Sequence, residues 1–301
     1  MTDAATATPE TAPETTTPKR PSRRTLIRCA VGLALLIAFA AWIAWGNTAL
    51  EVNTYTVRSD KLPAAFDGFR IAQVSDLHNT EMGEDNEKLL AALREASPDI
   101  IVLTGDLIDS RNTDVEIALE FARRATDIAP CYYVMGNHEA RTNAYSILKK
   151  GLHEAGVTVL EDARAELERQ GDTITLIGVN DPSRSAGNEA DTMRRTLERL
   201  TQPDTTGGYT VLLSHRPELM DVYAACGVDL VFSGHAHGGQ FRLPLIGGLA
   251  APNQGLFPRY DGGVYTQGGT RMAVSRGVGN SIIPVRIGNR PEVVVVELAT
   301  A

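Results

Sequence analysis

Cysteine is nearly missing from this 301-residue chain: Cys29, Cys131 and Cys226 are the only three, with no CxxC or other paired spacing. That excludes a disulfide framework and a thiolate zinc site. Cys131 and Cys226 read as small buried hydrophobes. Basic charge is also short. Lys and Arg number 29 against 37 Asp and Glu, a formal net charge of −8. A general nucleic-acid binder carries a basic face, so no stable nucleic-acid complex is expected. No internal repeat divides the chain.

Charge is absent altogether from one stretch. Between Cys29 and Leu50 no charged side chain occurs, and about 20 apolar residues suffice to cross a bilayer as a helix. Residues 25–46 are therefore expected to span a membrane, with Trp42 and Trp45 near the far interface. Residues 1–24, rich in Thr, Ala, Pro and Glu and ending in basic residues, have almost nothing to bury and read as a disordered tail. Lys19, Arg20, Arg23, Arg24 and Arg28 precede the span. By the positive-inside rule they put the N-terminus in the cytoplasm and everything after residue 50 outside, as a single-pass protein of the cell membrane. "SRRTLIR" also resembles a twin-arginine export signal, and the pair fits that signal and simple positive-inside bias equally. An Ala-x-Ala cleavage site is missing near residues 44–50, so a retained anchor is expected.

Past a linker and first strand at 47–65, short β-branched runs alternate with amphipathic stretches over 66–300. "FRIAQVSDLH", "DIIVLTGDL", "CYYVMGNHE", "TITLIGV", "YTVLLSH", "VDLVFSGH", "MAVSRG" and "PEVVVVEL" predict strands. "NEKLLAALREASP", "DVEIALEFARRATD" and "AYSILKKGLHEAG" predict helices. Helices between strands imply an α/β domain layered on a central sheet. Residues 238–269, rich in Gly and Pro, predict a long ordered loop or hairpin over the site.

Five of the six histidines fall at strand ends. Asp76 and His78 end one strand, Asp106 the next, Asn137 and His138 a third, His215 a fourth, and His235 and His237 a fifth. Ligands bind at the carboxyl edge of an α/β sheet, where these residues gather. Two divalent cations about 3.5–4 Å apart can clamp both the attacking and the leaving oxygen of a phosphoryl group. Cations so close repel, so a carboxylate must bridge them, and Asp106 is the candidate. Asp76, His78 and His237 suit one metal; Asn137, His215 and His235 suit the other. Nitrogen and oxygen donors without sulfur favour Mn, Zn or Fe. His138 is then free to protonate a leaving group or to bind phosphoryl oxygen. Helix capping is the competing account of the Asp and Asn residues, but it does not explain seven polar residues in one ordered pattern. Arg276 and Arg286, in "SRGVGNSIIPVR", suit either phosphate or surface carboxylates.

The order D-x-H, G-D, G-N-H-E, lone H and G-H-x-H resembles the calcineurin-like metallophosphoesterases, and all five blocks are present over residues 66–300. "GHAHGGQFRLP" and the "YTQGGTRMAVSRGVGN" stretch look like a membrane-anchored branch of that family. The resemblance implies two packed mixed β-sheets flanked by helices, a four-layer sandwich in place of one central sheet, with a dimetal site on its rim. It also implies hydrolysis of phosphodiester or pyrophosphate bonds by in-line attack of a metal-bridging hydroxide, on lipid-linked or cell-envelope substrates. Two other functions stay open at this point: a nucleotide phosphodiesterase or nuclease, and a catalytically silent metal-binding scaffold of the envelope.

Overall fold

Alternation within the strands decides the architecture. In a computed structural model, describing residues 22–202, 208–280 and 282–301, nearly every inner strand is buried on both faces. The tail expected over residues 1–24 lies outside the described residues as far as residue 21. One unit ends at Trp42 and a second runs Ile43–Ala301. Helix α1, Arg23–Thr48, has a mean hydropathy of 2.3 over its most apolar window and buries none of it. Its length and composition are those of a membrane-crossing helix.

In the second unit, strands β1 (Glu51–Ser59), β2 (Arg70–Val74), β3 (Ile100–Leu103), β4 (Cys131–Tyr133), β5 (Thr158–Val159), β6 (Ala163–Arg169), β7 (Asp172–Gly178), β8 (Thr210–Leu213) and β9 (Leu230–Ser233) are followed by two small hairpins. These are β10 (Arg242–Leu243) with β11 (Gly247–Gly248), and β12 (Ala250–Ala251) with β13 (Gly255–Leu256). Strands β14 (Gly263–Gln267), β15 (Thr270–Val274) and β16 (Glu292–Thr300) complete the chain. One six-stranded sheet has the order β1-β16-β2-β3-β4-β5, the other β14-β15-β9-β8-β7-β6. Both are mixed. β16 runs parallel to β1 from Glu51↔Glu292 to Ser59↔Thr300 but antiparallel to β2.

Odd and even residues then sort into layers, as the two-residue period of a strand requires. Ile71, Val102, Leu176, Val211, Leu213, Phe232, Val294 and Val296 meet between the sheets. Ala72, Val74, Ile101, Leu103 and Val295 face the other way, onto α2 (Glu87–Ala96), α3 (Glu116–Thr126) and α5 (Tyr145–Glu154). Ile177, Leu212, Val231 and Met272 pack under α6 (Glu189–Leu200) and α7 (Met220–Ala225). The helices are amphipathic for the same reason: α2 buries Leu89, Leu90, Leu93 and Ala96, one stripe at helical spacing. It stops at Ser97, which takes a left-handed φ of 47° ahead of Pro98.

Four layers, helix–sheet–sheet–helix, replace the single central sheet that the strand–helix alternation suggested, and agree with the two-sheet sandwich of the family resemblance. The reason for the difference is physical. A strand with helices on both faces and a strand with helices on one face and a second sheet on the other are both apolar on both faces, so their sequences look alike. A second local expectation is corrected. β4 stops at Tyr133, and Asn137–Ala140 forms a single helical turn, α4, so Asn137 and His138 do not sit on an extended strand.

Candidate metal centre

The loops after β2, β3 and β4 from one sheet meet those after β8 and β9 from the other. Gln73 fastens the sheets beneath them, donating from Nε2 to Thr104 Oγ1 (2.8 Å) and to Ser233 O (2.8 Å). Each loop turns abruptly. Asp76, His78, Asp106, His235 and His237 have φ of 53°, 44°, 52°, 65° and 47°. Non-glycine residues seldom take this left-handed conformation, and a cluster of them marks strain held in place by surrounding structure. Glycines make room for the carboxylates. A Cβ on Gly234 would lie 2.3 Å from Asp76 Oδ2, and one on Gly136 2.3 Å from Asp106 Oδ1.

The turns bring all seven residues expected to be ligands together, at most 6 % exposed. Asp76, His78 and His237 form one cluster; Asp106, His215 and His235 form another. His78 Nε2 and His237 Nε2 are 3.2 Å apart, and Asp76 Oδ1 is 3.8 Å and 3.3 Å from them. Asp106 Oδ2 stands between the groups, 3.7 Å from His78 Nε2 and 3.1 Å from His215 Nε2. Asn137 Oδ1 is also 3.1 Å from His215 Nε2. His138 shares a third cluster with His78 and Asp106.

Electrostatics and hydrogen bonding fit divalent cations. Burial works against both carboxylates, yet His237 and His78 hold Asp76 well below the usual carboxylate range, and His215 does the same for Asp106. Burial would lower His215, but Asp106 overrides it and raises it to about 10. Burial prevails at His237, lowering it to about 3, and at His235. His215 Nδ1–H donates to Thr104 O at 2.8 Å, which orients the ring with Nε2 toward the cluster. His78 Nδ1, His235 Nε2 and His237 Nδ1 are buried without a hydrogen-bond partner. Buried polar atoms left in this way are costly unless a ligand or ion answers them.

Several contributors were given no role by the sequence, among them the Glu139 that closes the G-N-H-E block. Glu139 accepts the backbone N–H groups of Asp106 (2.8 Å), Gly136 (2.9 Å) and Ile108 (3.0 Å), pinning the β3 and β4 loops together. Burial, with Asp106 nearby, raises its carboxyl to about 7. Ser110 N–H donates to His138 Nδ1 at 3.0 Å, and Asp109 Oδ1 is 3.5 Å from the same atom. Asn289 Nδ2 holds His237 O at 2.7 Å. Arg276 and Arg286 are engaged by protein groups, and Arg286 lies near enough to Asp76 and His237 to act on both electrostatically. Arg276 pairs with Glu51 and Glu292. Arg286, 1 % exposed, donates to Arg276 O, Gly279 O and Asn280 Oδ1.

The family model for calcineurin-like phosphoesterases matches residues 69–239. The chain is 28 % identical over 291 residues to the uncharacterized metallophosphoesterase YkuE of Bacillus subtilis, covering 93 % of this chain and 98 % of the relative. It is 28 % identical to the phosphodiesterase YaeI of Escherichia coli, over 76 % of this chain and 82 % of that one. A transmembrane protein with metallophosphoesterase domain from Danio rerio is 29 % identical over 80 % of this chain and 56 % of its own length.

Proposed function

The chain belongs to the calcineurin-like phosphoesterase family of metal-dependent phosphoric ester hydrolases, and from that premise we propose a membrane-anchored phosphodiesterase or pyrophosphatase with two divalent metals per chain. Asp76, His78 and His237 would hold one metal; Asn137, His215 and His235 the other; Asp106 would bridge them. The observation that carries this reading is the place of Asp106 Oδ2, within 3.7 Å of a histidine from each group. When bound, a metal pair supplies an activated water and neutralises charge on the phosphoryl oxygens. Mixed nitrogen and oxygen donors suit Mn, Zn or Fe.

The chain's own residues orient the rest. His138 faces the cluster next to Asp106, with Nδ1 occupied by the Ser110 N–H. Its ring proton therefore sits on Nε2, where it would donate to a phosphoryl or leaving-group oxygen. The strained loops and their glycine-backed carboxylates fix the donors before substrate arrives, which is preorganisation of the kind electrostatic catalysis needs. Helix α1 would anchor the chain as a single span, N-terminus in the cytoplasm and the domain outside, which favours envelope or lipid-linked substrates over soluble nucleotides. Purified chain loaded with Mn²⁺ should hydrolyse bis-p-nitrophenyl phosphate, and Asp106→Ala should abolish it. A wild-type chain that binds metal but cleaves neither the diester nor its monoester would support the scaffold reading instead.

A further inference from the structure

The surface beside His237 is apolar where polar side chains would be expected. At the tip of the β10–β11 hairpin Leu245 is fully exposed and has a left-handed φ of 70°. Ile246, Leu256, Phe257, Ile282 and Ile283 are exposed on neighbouring segments. Hydrogen bonds knit these segments into one surface. Gln240 Nε2 donates to Ile283 O (2.9 Å) and Val285 O (2.7 Å), Arg242 N–H to Ile287 O (2.9 Å), and Phe257 N–H to Leu249 O (2.8 Å). A contiguous exposed apolar patch of this kind marks an interaction surface.

Beneath the rim lies a cavity of about 220 Å³ lined by His237, Ala250, Ala251, Pro252, Ile282 and Ile283. An apolar chamber thus opens onto a candidate metal-ligand histidine. The rim is also fastened to the end of the apolar helix. Asn47, next to the last residue of α1, donates to Arg286 O (3.0 Å) and accepts the Arg286 N–H (2.8 Å). The Arg290 guanidinium lies 4.7 Å from the centre of the Trp45 ring. Where a membrane-crossing helix ends, the interface begins, and Trp beside Arg is typical of that level. Arg286, which makes those two bonds, follows three residues after Ile283.

We propose that this rim docks on the bilayer and that the substrate is a membrane lipid phosphoester, its first hydrocarbon segment in the cavity and its phosphate at the metal centre. The inference rests on the anchored-phosphoesterase reading and names its substrate class. A bilayer accounts for both features at once, since it covers the rim and supplies the chain that fills the chamber.

The test uses the full-length protein in phosphatidylcholine vesicles with Mn²⁺ and two esters sharing one leaving group: hexadecyl p-nitrophenyl phosphate, which enters the bilayer, and methyl p-nitrophenyl phosphate, which does not. Leu245→Ser with Phe257→Ser, and separately Ala250→Phe, should lower the hexadecyl-to-methyl ratio of kcat/KM about tenfold, as expected for lost apolar contact. A nitrobenzoxadiazole label on Leu245→Cys, with Cys29→Ser and Cys226→Ser, should be quenched by brominated lipid. The same label on Glu95→Cys, at the far end of α2, should not. An unchanged ester ratio, or a label at 245 untouched by brominated lipid, overturns the proposal. So does a label at 245 shielded only as protein concentration rises in detergent, which would mean that a second copy covers the rim. If the wild type cleaves neither ester, the phosphoesterase reading and the substrate assignment fall together, while quenching at 245 still decides the docking face.

Discussion

Replacing His138 separates two ways in which a histidine can serve phosphoryl transfer. Its backbone N–H donates to Asp106 Oδ1 at 2.8 Å, and that bond survives any change of side chain. The bridging carboxylate should therefore stay in place, and the metals with it. The ring is held by Ser110 N–H at 3.0 Å, which fixes Nδ1 as an acceptor. Asp109, close to the same nitrogen, is committed to Arg111, whose Nε lies 2.9 Å away and whose hydrogen bonds keep the carboxyl well below its usual range. Burial lowers the His138 pKa and so favours the neutral ring, and the Ser110 N–H on Nδ1 places that ring's proton on Nε2. A neutral Nε2–H donates a hydrogen bond readily, but can surrender its proton only by becoming an imidazolate. Charge stabilisation, not proton transfer, is what this geometry provides. Removing one such preorganised donor costs about 10²–10³ in kcat, or about 2.7–4 kcal/mol.

His138→Ala should thus lose that factor with metal content unchanged in elemental analysis. The loss should be similar for p-nitrophenyl and alkyl leaving groups, whereas a general acid matters most for the poor alkyl group. His138→Gln restores an N–H donor and should recover part of the rate. Steady-state kcat on paired p-nitrophenyl and alkyl phosphodiesters is the assay. A mutant that sheds a metal would make His138 a ligand. A loss concentrated on the alkyl ester would make it a proton donor. Either result defeats the reasoning.

Asp106→Ala should release both metals while His237→Ala mainly weakens one, since Asp106 Oδ2 stands between His78 of one group and His215 of the other; elemental analysis after dialysis checks this, and equal retention in the two variants would sink the bridging role. Arg216→Met should destabilise the fold, because Arg216 is 1 % exposed and doubly bonded to Asp181 at 2.5 and 2.9 Å. Leaving that buried carboxylate unpaired costs about 3–5 kcal/mol, and a thermal melt unchanged from wild type would show the pair to be dispensable. Arg23→Lys with Arg24→Lys keeps the charge, so it should block export only if the pair is read as a twin-arginine signal; a periplasmic reporter fused at the C-terminus distinguishes this from simple positive-inside bias.

The strands and helices were legible because burial leaves a period in the sequence. Leu89, Leu90, Leu93 and Ala96 announce α2, and the valines of β16 announce a strand buried on both sides. Their partners were not legible. Nothing in "IIVL" says that Val102 faces a second sheet while Ile101 faces helices. The polar residues at strand ends were visible as a pattern, and the loops do carry them to one rim. Their backbone was invisible, because an Asp at φ 53° and a His at φ 44° look the same in sequence as an Asp and a His in any loop. Glu139 was hidden by a different cause. It stands in plain view after Asn137 and His138, but its work is done on the N–H groups of other loops, and backbone amides leave no mark in composition. Gln240 is the same case: within "GHAHGGQ" it is one more polar residue after the histidines, yet its amide is spent on the carbonyls of Ile283 and Val285. That bond ties the histidine loop to the apolar rim. The residues proposed to bind ions could be picked out by type, whereas those proposed to set what reaches the ions act through backbone and exposure, and only the folded chain displays them.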